Sequence, residues 1–133
     1  MCPDILLNRD KLLADRNLLG RWGEKHCRKF LNRKGLKKLT RNFSCKTGEI
    51  DLVMADTDGT IVFVEVKTRT DESFEPAESA ITPAKKNKLF RTARYFLKMH
   101  NIENRPYRFD VVTIVLASAG SPETRHYQNA FVP

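Results

Sequence analysis

The chain has 133 residues and a mass of 15.3 kDa, which is enough for one ordinary domain with its own core. Hydrophobic residues make up 41% and charged residues 30% of the sequence, a balance typical of a globular, water-soluble protein. The cysteines form no C-x-x-C pair and the histidines no H-x-x-x-H spacing, which disfavours a disulfide framework and a zinc site. No apolar run is long enough for a membrane span or a signal peptide, so we expect a cytoplasmic protein.

The net charge of +8 is unevenly distributed along the chain. Residues 20–50 carry +8 and residues 83–100 carry +6, whereas residues 51–82 carry −6. Basic segments are typical of proteins that bind polyanions, and a carboxylate cluster between them is typical of a divalent-metal site. A basic surface that is only solvated fits the charge equally well, so charge alone leaves both interpretations open.

The first part of the chain is expected to be mostly helical. Residues 1–16 lack a sustained period and are expected to form a loose N-terminal arm or a short helical lead-in. The rest, residues 17–133, is expected to form one domain. A helical pattern runs over residues 18–34, with Asn17 as the expected N-cap and Gly35 just past the C-terminal end.

Three strand patterns follow this helix, over residues 36–44, 49–55 and 60–68. The last two are apolar on both faces, which indicates central strands covered on both sides by helices. Within the second strand, alternation predicts that Ile50, Leu52 and Met54 share one face.

An acidic loop is expected over residues 69–82. Thr82 is then a capping residue and Pro83 occupies the first helical position, which predicts a basic helix ending near residue 100. The remaining patterns are a strand over residues 107–116 and a short edge strand over residues 126–131. This order of elements predicts a mixed α/β sandwich.

Two charged residues interrupt the otherwise apolar strand over residues 60–68. Glu65 and Lys67 are two positions apart and therefore point to the same face. Burying a lone charge there is unfavourable unless a metal ion or an ion pair offsets the desolvation. The alternative is a fully solvated Glu–Lys pair at the end of the strand.

The turn between the two central strands decides where Asp51 lies. A three-residue loop over residues 57–59, with Gly59 left-handed, makes the numbers of paired residues sum to 116, which places Asp51 opposite Glu65. A two-residue turn would shift the register by one and turn Asp51 to the other face unless a bulge corrected it. The functional interpretation favours the longer loop.

Two facing carboxylates resist joint ionisation, and a hard divalent cation such as Mg²⁺ removes that repulsion. A nearby lysine lowers the pKa of an attacking water or neutralises charge that develops on a phosphoryl group. Asp51, Glu65 and Lys67 together therefore favour metal-assisted hydrolysis of a phosphodiester.

Four segments of the chain carry a family pattern, namely Gly48-Glu49-Ile50-Asp51-Leu52, Phe63-Val64-Glu65-Val66-Lys67-Thr68-Arg69, Arg108-Phe109-Asp110-Val111-Val112 and Asn129-Ala130-Phe131. They resemble the UPF0102 family, also called the YraN family. That family is similar to the restriction-endonuclease-like superfamily with its PD-(D/E)xK motif, which includes archaeal Holliday junction resolvases. The resemblance spans about residues 18–131.

The resemblance implies an αβββαβ core, in which helices flank a mixed central sheet. It also implies that Asp51 is the aspartate of the motif, Glu65 its second acid and Lys67 its lysine, while Ile50 stands where the motif has proline. Glu24, on the first helix of the domain, would help to hold the metal, as a first-helix glutamate does in the junction-resolving relatives. The alternative for Glu24 is a surface pair with Arg28, four residues later.

Further basic residues are candidate contacts for nucleic acid. Arg69 follows the motif and either clamps a phosphate or pairs with Asp71 or Glu72. Lys85 and Lys88 on the second helix either contact phosphates or form a solvated face.

Other polar and aromatic residues are expected to be structural. Asp110 lies among valines and is expected to form an ion pair with a neighbouring base. His26 and Trp22 are expected to pack in the core.

The sequence therefore favours a DNA endonuclease that depends on Mg²⁺ or Mn²⁺, acting on branched or damaged DNA, with Glu24, Asp51, Glu65 and Lys67 as catalytic residues. One alternative is a non-catalytic nucleic-acid-binding module that keeps the fold. A third interpretation is a partner-binding subunit with no role at DNA. No membrane partner is expected, and the oligomeric state is open between a monomer and a homodimer.

Overall fold

The structure is a computed structural model that describes residues 3–70 and 81–132, with side chains described from residue 9 onward. Most of the expected acidic loop lies outside the described residues. The elements, in chain order, are α1 (Pro3–Ala14), α2 (Arg16–Arg33), β1 (Lys37–Cys45), β2 (Gly48–Ala55), β3 (Ile61–Arg69), α3 (Pro83–Met99), β4 (Tyr107–Val115) and β5 (Glu123–Phe131). None of the helices within the described ranges is long and apolar enough to cross a membrane.

The five strands form one mixed sheet in the order β1-β2-β3-β4-β5, which confirms the predicted α/β class. Neighbouring strands are antiparallel except β3 and β4, which run parallel and are joined by the crossover helix α3. The central strand β3 is apolar on both faces because α2 covers one face and α3 the other. The last strand, β5, begins earlier than the edge strand expected from the sequence.

The helix α2 begins two residues earlier than expected. The carboxylate of Asp15 accepts hydrogen bonds from the backbone N–H groups of Asn17 at 2.9 Å and Leu18 at 3.2 Å, so Asp15 is the N-cap and the assignment to Asn17 is wrong. The buried stripe of this helix repeats every fourth residue and consists of Leu19, Gly23, Cys27 and Leu31. At Gly23 the helix lies so close to β3 that a Cβ atom would overlap the hydroxyl oxygen of Thr68.

The N-terminal arm is helical and packs on the domain. Leu12 of α1 lies in a small apolar cluster with Leu19 and Leu116. Arg9 donates two hydrogen bonds, each 2.7 Å long, to carbonyl oxygens in the loop that follows β4. Of the two expectations for this segment, the structure therefore has the helical one.

The regular alternation of side chains between the two faces of the sheet is interrupted within β2. Leu52 packs in the core on the α2 side, whereas Ile50 packs on the α3 side, so the prediction that they share a face is wrong for Ile50. The change occurs at Asp51, which lies opposite Asn42 of β1 between two paired positions. Asn42 has a left-handed backbone with a φ of 52°, and such a residue rotates a strand locally.

Candidate active site

The turn between β2 and β3 has the three-residue form. The backbone N–H of Asp56 donates to the carbonyl of Thr60 at 2.9 Å, and Gly59 is left-handed with a φ of 90°. The ladder then runs from the pair Ala55 and Ile61 to the pair Leu52 and Val64, in the register whose residue numbers sum to 116. The predicted register is therefore confirmed as far as Leu52 and Val64, but the ladder ends there and the expected pair of Asp51 with Glu65 is not formed.

Beyond Leu52 and Val64 the two strands separate. The last contact between them is made by a side chain, because Oδ2 of Asp51 accepts a hydrogen bond of 2.8 Å from the backbone N–H of Val66. From there β3 continues along β4 as far as Arg69. We call this separation the fork and define it by Asp51 on β2 with Glu65 and Lys67 on β3.

Two lysines contact the carboxylate of Glu65, whose side chain is 9% exposed. Nζ of Lys67 lies 3.5 Å from Oε1 of Glu65, so the two residues share a face as predicted. Nζ of Lys85 donates to the same oxygen at 2.7 Å. The sequence predicts for Lys85 either a phosphate contact or a solvated face, and this ion pair with Glu65 is neither. The spacing along the chain does not decide which residue of α3 faces Glu65.

The carboxyl group of Asp51 has a strongly raised pKa of about 7. Burial is the main cause, and the negative charge of Glu65 adds to it, while the N–H of Val66 opposes it. The charge of Glu24 raises the pKa further. Asp51 therefore holds its proton more tightly than an ordinary aspartate, and a cation beside it would favour the carboxylate.

The two lysines of the site differ in their titration. Burial lowers the pKa of Lys67, and the neighbouring Lys85 lowers it further, while Glu65 opposes both. For Lys85, burial also acts to lower the pKa, but the hydrogen bond and charge of Glu65 outweigh it and the net shift is upward. Lys85 thus stays charged, whereas Lys67 loses its proton more readily.

Glu24 and Asp51 line a common groove of about 600 Å³, between the first two helices and the end of β3. Burial raises the pKa of Glu24, and the charges of Glu65 and Glu49 contribute in the same direction. Arg41 opposes this shift. The surface pair of Glu24 with Arg28 is not among the ion pairs formed by the described residues.

The carboxylates of the site are near one another without forming a ready-made metal cage. Within residues 3–70 and 81–132, no three His, Cys, Asp or Glu side chains are already gathered closely enough to hold a metal ion. Glu24 acts on Asp51 through its charge across the groove, and Glu65 is held by its lysines.

The other candidate contacts lie around the site. Arg69 is exposed at the groove and donates to the carbonyl of Thr68 at 3.2 Å, while its alternative partners Asp71 and Glu72 lie outside the described residues. Lys88 is exposed on α3.

Asp110 forms the expected structural ion pair. Its fully buried carboxylate accepts from Nε of Arg108 at 3.0 Å and from the backbone N–H of Asn129 at 2.9 Å, and lies 2.7 Å from Nε2 of His126. This network joins β4 to β5, whereas the fork lies between β2 and β3.

Trp22 and His26 are both partly buried and pack against each other, with stacked rings whose centroids are 5.0 Å apart. Nε2 of His26 lies 3.0 Å from the hydroxyl of Thr124.

The fold and the site together define a small α/β domain with a buried acid–lysine cluster at the edge of a groove. A model of the family described as "Uncharacterised protein family UPF0102" matches residues 23–114. A UPF0102 protein of Pelotomaculum thermopropionicum is 40% identical over 121 residues, which cover 90% of this chain and 100% of that protein. One of Pelobacter propionicus is 39% identical over 118 residues, with coverages of 88% and 84%. This chain belongs to the UPF0102 family.

A further relative, from Ralstonia nicotianae, is 45% identical over 98 residues, with coverages of 71% and 75%. Among solved structures, a chain of "Structure of EndoMS-dsDNA2 complex" is similar to this chain with a TM-score of 0.27 and 21% sequence identity. The match covers 64% of this chain and 30% of the other.

Proposed function

We propose that this protein is a metal-dependent endonuclease that hydrolyses phosphodiester bonds in DNA. The observation that carries the proposal is the fork, where the carboxylates of Asp51 and Glu65 influence each other next to Lys67 and Lys85. Acidic and basic groups that shift one another's pKa beside a groove are typical of catalytic sites.

The donor set at the fork suits Mg²⁺ or Mn²⁺. Asp51 is a buried carboxylate whose ionisation is opposed by Glu65 and Glu24, and hard oxygen ligands of this kind are those that Mg²⁺ prefers. Asp51 and Glu65 would hold the ion and Glu24 would assist from α2. When bound, such an ion lowers the pKa of a water and stabilises charge that develops on a phosphoryl group.

The lysines supply the remaining functions. Lys67, with its lowered pKa, orients the attacking water or accepts its proton. Lys85 keeps its charge and holds the carboxylate of Glu65 in place. Arg69, at the edge of the groove, is positioned to contact a phosphate of the substrate.

The substrate proposed here is branched or damaged DNA. The basic helices supply contacts to phosphates, which carry affinity without a preference for sequence. The shape of the DNA, rather than its base sequence, would then select the cleavage site.

The test is incubation of the protein with supercoiled, linear, single-stranded and four-way DNA, with Mg²⁺, with Mn²⁺ or with a chelator. We expect cleavage of at least one form with a metal ion and none with the chelator. Asp51→Asn should abolish cleavage, whereas Asp10→Asn, which changes an exposed carboxylate on α1, should leave it intact. Wild-type protein that binds DNA well but never cleaves any form would favour the non-catalytic binding module.

A further inference from the structure

A second cavity, of about 460 Å³, lies between α2 and the strands β1 and β2. Most of its lining side chains are cationic, and the full set is Arg21, Glu24, Lys25, Arg28, Arg41, Asn42 and Leu52. Three of the cations come from α2 at spacings of four and three residues, which place them on one face of the helix. The fourth comes from β1, on the opposite wall.

The side chains that line this cavity carry an excess of positive charge. Four cations face a single acid, Glu24, and like charges spaced four residues apart on a helix repel one another. Within the described residues, Nε of Arg28 is fully buried and has no hydrogen-bond partner. A buried donor on a charged group without an acceptor is unfavourable, so the protein alone does not satisfy the guanidinium group of Arg28.

The cavity adjoins the groove of the candidate active site. Glu24 lines both of them, so its side chain forms the wall between. The positive charge of Arg41 acts on the Glu24 carboxyl group and opposes the rise in its pKa. An anion in the second cavity would therefore lie one side chain away from the groove that contains Asp51.

We propose that the second cavity is a phosphate pocket, which binds a backbone phosphate of the nucleic acid beside the one that is cleaved. The assignment of the cleaved phosphate to the fork rests on the proposed function. The chemistry fits because a guanidinium group binds phosphate with two parallel N–H donors, and three of the four cations that line the cavity are arginines. A strand that crosses both cavities would be held on each side of Glu24.

The test measures DNA binding across a salt series, with a chelator present so that no cleavage occurs. The double variant Arg28→Ala/Arg41→Ala should bind roughly tenfold or more weakly. Its plot of log affinity against log salt should be shallower by about 0.9, the loss expected for one phosphate contact. The matched control, Lys29→Ala/Arg33→Ala, removes two exposed cations from the same helix outside the cavity and should change both quantities less.

A third variant separates the hydrogen bonds from the charge. Arg28→Lys keeps the positive charge but removes the Nε donor, so affinity should fall while the salt slope stays near that of the wild type. Thermal unfolding of the variants without DNA checks the fold. The double variant should still unfold in one cooperative transition, because neither side chain is part of the apolar core.

A salt slope in the double variant equal to that of the matched control would overturn the phosphate pocket. Inorganic phosphate could raise the unfolding temperature of the wild type and not that of the double variant, while both proteins bind DNA equally well. In that case the cavity would bind a free anion, and the proposal would also fail. Because binding is measured without metal, its outcome is separate from that of cleavage. A protein that cleaves DNA but shows no slope change would leave the endonuclease standing and remove only the pocket.

Discussion

The carboxyl group of Asp51 combines burial with a neighbouring carboxylate, and its pKa rises from 3.8 to about 7. An acid that holds its proton more tightly in the folded state destabilises the fold when it must ionise. Asp51 therefore costs the protein stability at neutral and alkaline pH. A residue retained at such a cost is typical of functional sites, where stability is exchanged for reactivity.

The substitution Asp51→Asn should stabilise the metal-free protein above neutral pH. Native Asp51 binds a proton between pH 3.8 and about 7, where the unfolded chain does not, so the contribution of Asp51 to stability falls across this range and then levels off. At about pH 8 the variant should be more stable by at most a few kcal/mol, since each unit of pKa corresponds to about 1.4 kcal/mol. Denaturant unfolding at about pH 4 and pH 8, with a chelator, measures the difference.

Asp10→Asn is the control for this titration, since its carboxylate is exposed. A stability difference between wild type and Asp51→Asn that stays constant from acid to alkaline pH would contradict the raised pKa.

Lysine substitutions at the fork should separate chemistry from metal binding. Lys67→Ala should lower the cleavage rate by roughly 10²–10⁴-fold, the usual contribution of a positioned acid or base. Because lysine is not a metal ligand, Mg²⁺ should still raise the unfolding temperature of this variant, as any ligand of the native state does. In Asp51→Asn, both cleavage and the stabilisation by Mg²⁺ should be lost.

Lys98→Ala, at the exposed C-terminal end of α3, is the control for Lys67→Ala. Loss of the Mg²⁺ effect in Lys67→Ala would show that the variant is misfolded or that Lys67 has another role.

The sequence predicted the acids and the lysine of the fork because their positions depend on local geometry. The turn with Gly59 sets the register, and the alternation along β3 places Glu65 and Lys67 on one face. The contact from Lys85 was not predicted. It depends on how far α3 is rotated on the sheet, which is set by packing and not by spacing along the chain.

At the scale of elements, the site depends on the close approach of α2 to β3. Gly23 makes this approach possible, since its missing side chain leaves room for the Thr68 hydroxyl. The next residue on the helix is Glu24, so the position of this carboxylate is tied to the glycine. Any displacement of α2 would move Glu24 relative to Asp51.

Gly23→Ala should therefore destabilise the protein by about 1–3 kcal/mol, as overpacking of a tight contact does. The added Cβ would overlap the hydroxyl group of Thr68. Gly20→Ala is the matched control, because no atom lies within 4 Å of a Cβ at that position and alanine favours the helix. Thermal unfolding should show a loss for the first variant and none for the second.

The double variant Gly23→Ala/Thr68→Ala restores space at the contact and should recover part of the lost stability. Equal stability of Gly23→Ala and Gly20→Ala would show that the contact is not tight.

Element boundaries could be predicted where a local signal decided them. Thr82 caps α3 through a hydrogen bond from the N–H of Lys85, as the sequence indicated. The expected cap of α2 is wrong because both Asp15 and Asn17 are good caps, and only the structure shows which side-chain oxygen reaches the N–H groups of the first turn. The face change at Ile50 depends on the left-handed Asn42 of a neighbouring strand, which alternation within β2 cannot reveal.

For the whole molecule, the uneven charge of the sequence becomes a spatial arrangement. The two basic segments include α2 and α3, which cover opposite faces of the sheet, and the fork lies within the sheet between them, where β2 and β3 separate. A polyanion at the fork can therefore be contacted from both sides. This arrangement favours a nucleic-acid partner over a merely solvated basic surface.

DNA affinity of the wild-type protein should consequently fall steeply with salt. Each phosphate neutralised by a lysine or arginine releases condensed counterions, so log affinity should fall by about 0.9 per contact for each unit of log salt. Several contacts from two helices would give a slope of several units. Duplexes of equal length and different sequence should bind alike, because contacts to phosphates do not distinguish bases.

Fluorescence anisotropy across a salt series with a chelator measures the slope, and an acidic polypeptide of matched charge is the control polyanion. A flat salt dependence, or equal binding of the polypeptide, would instead support a partner-binding subunit without a role at DNA.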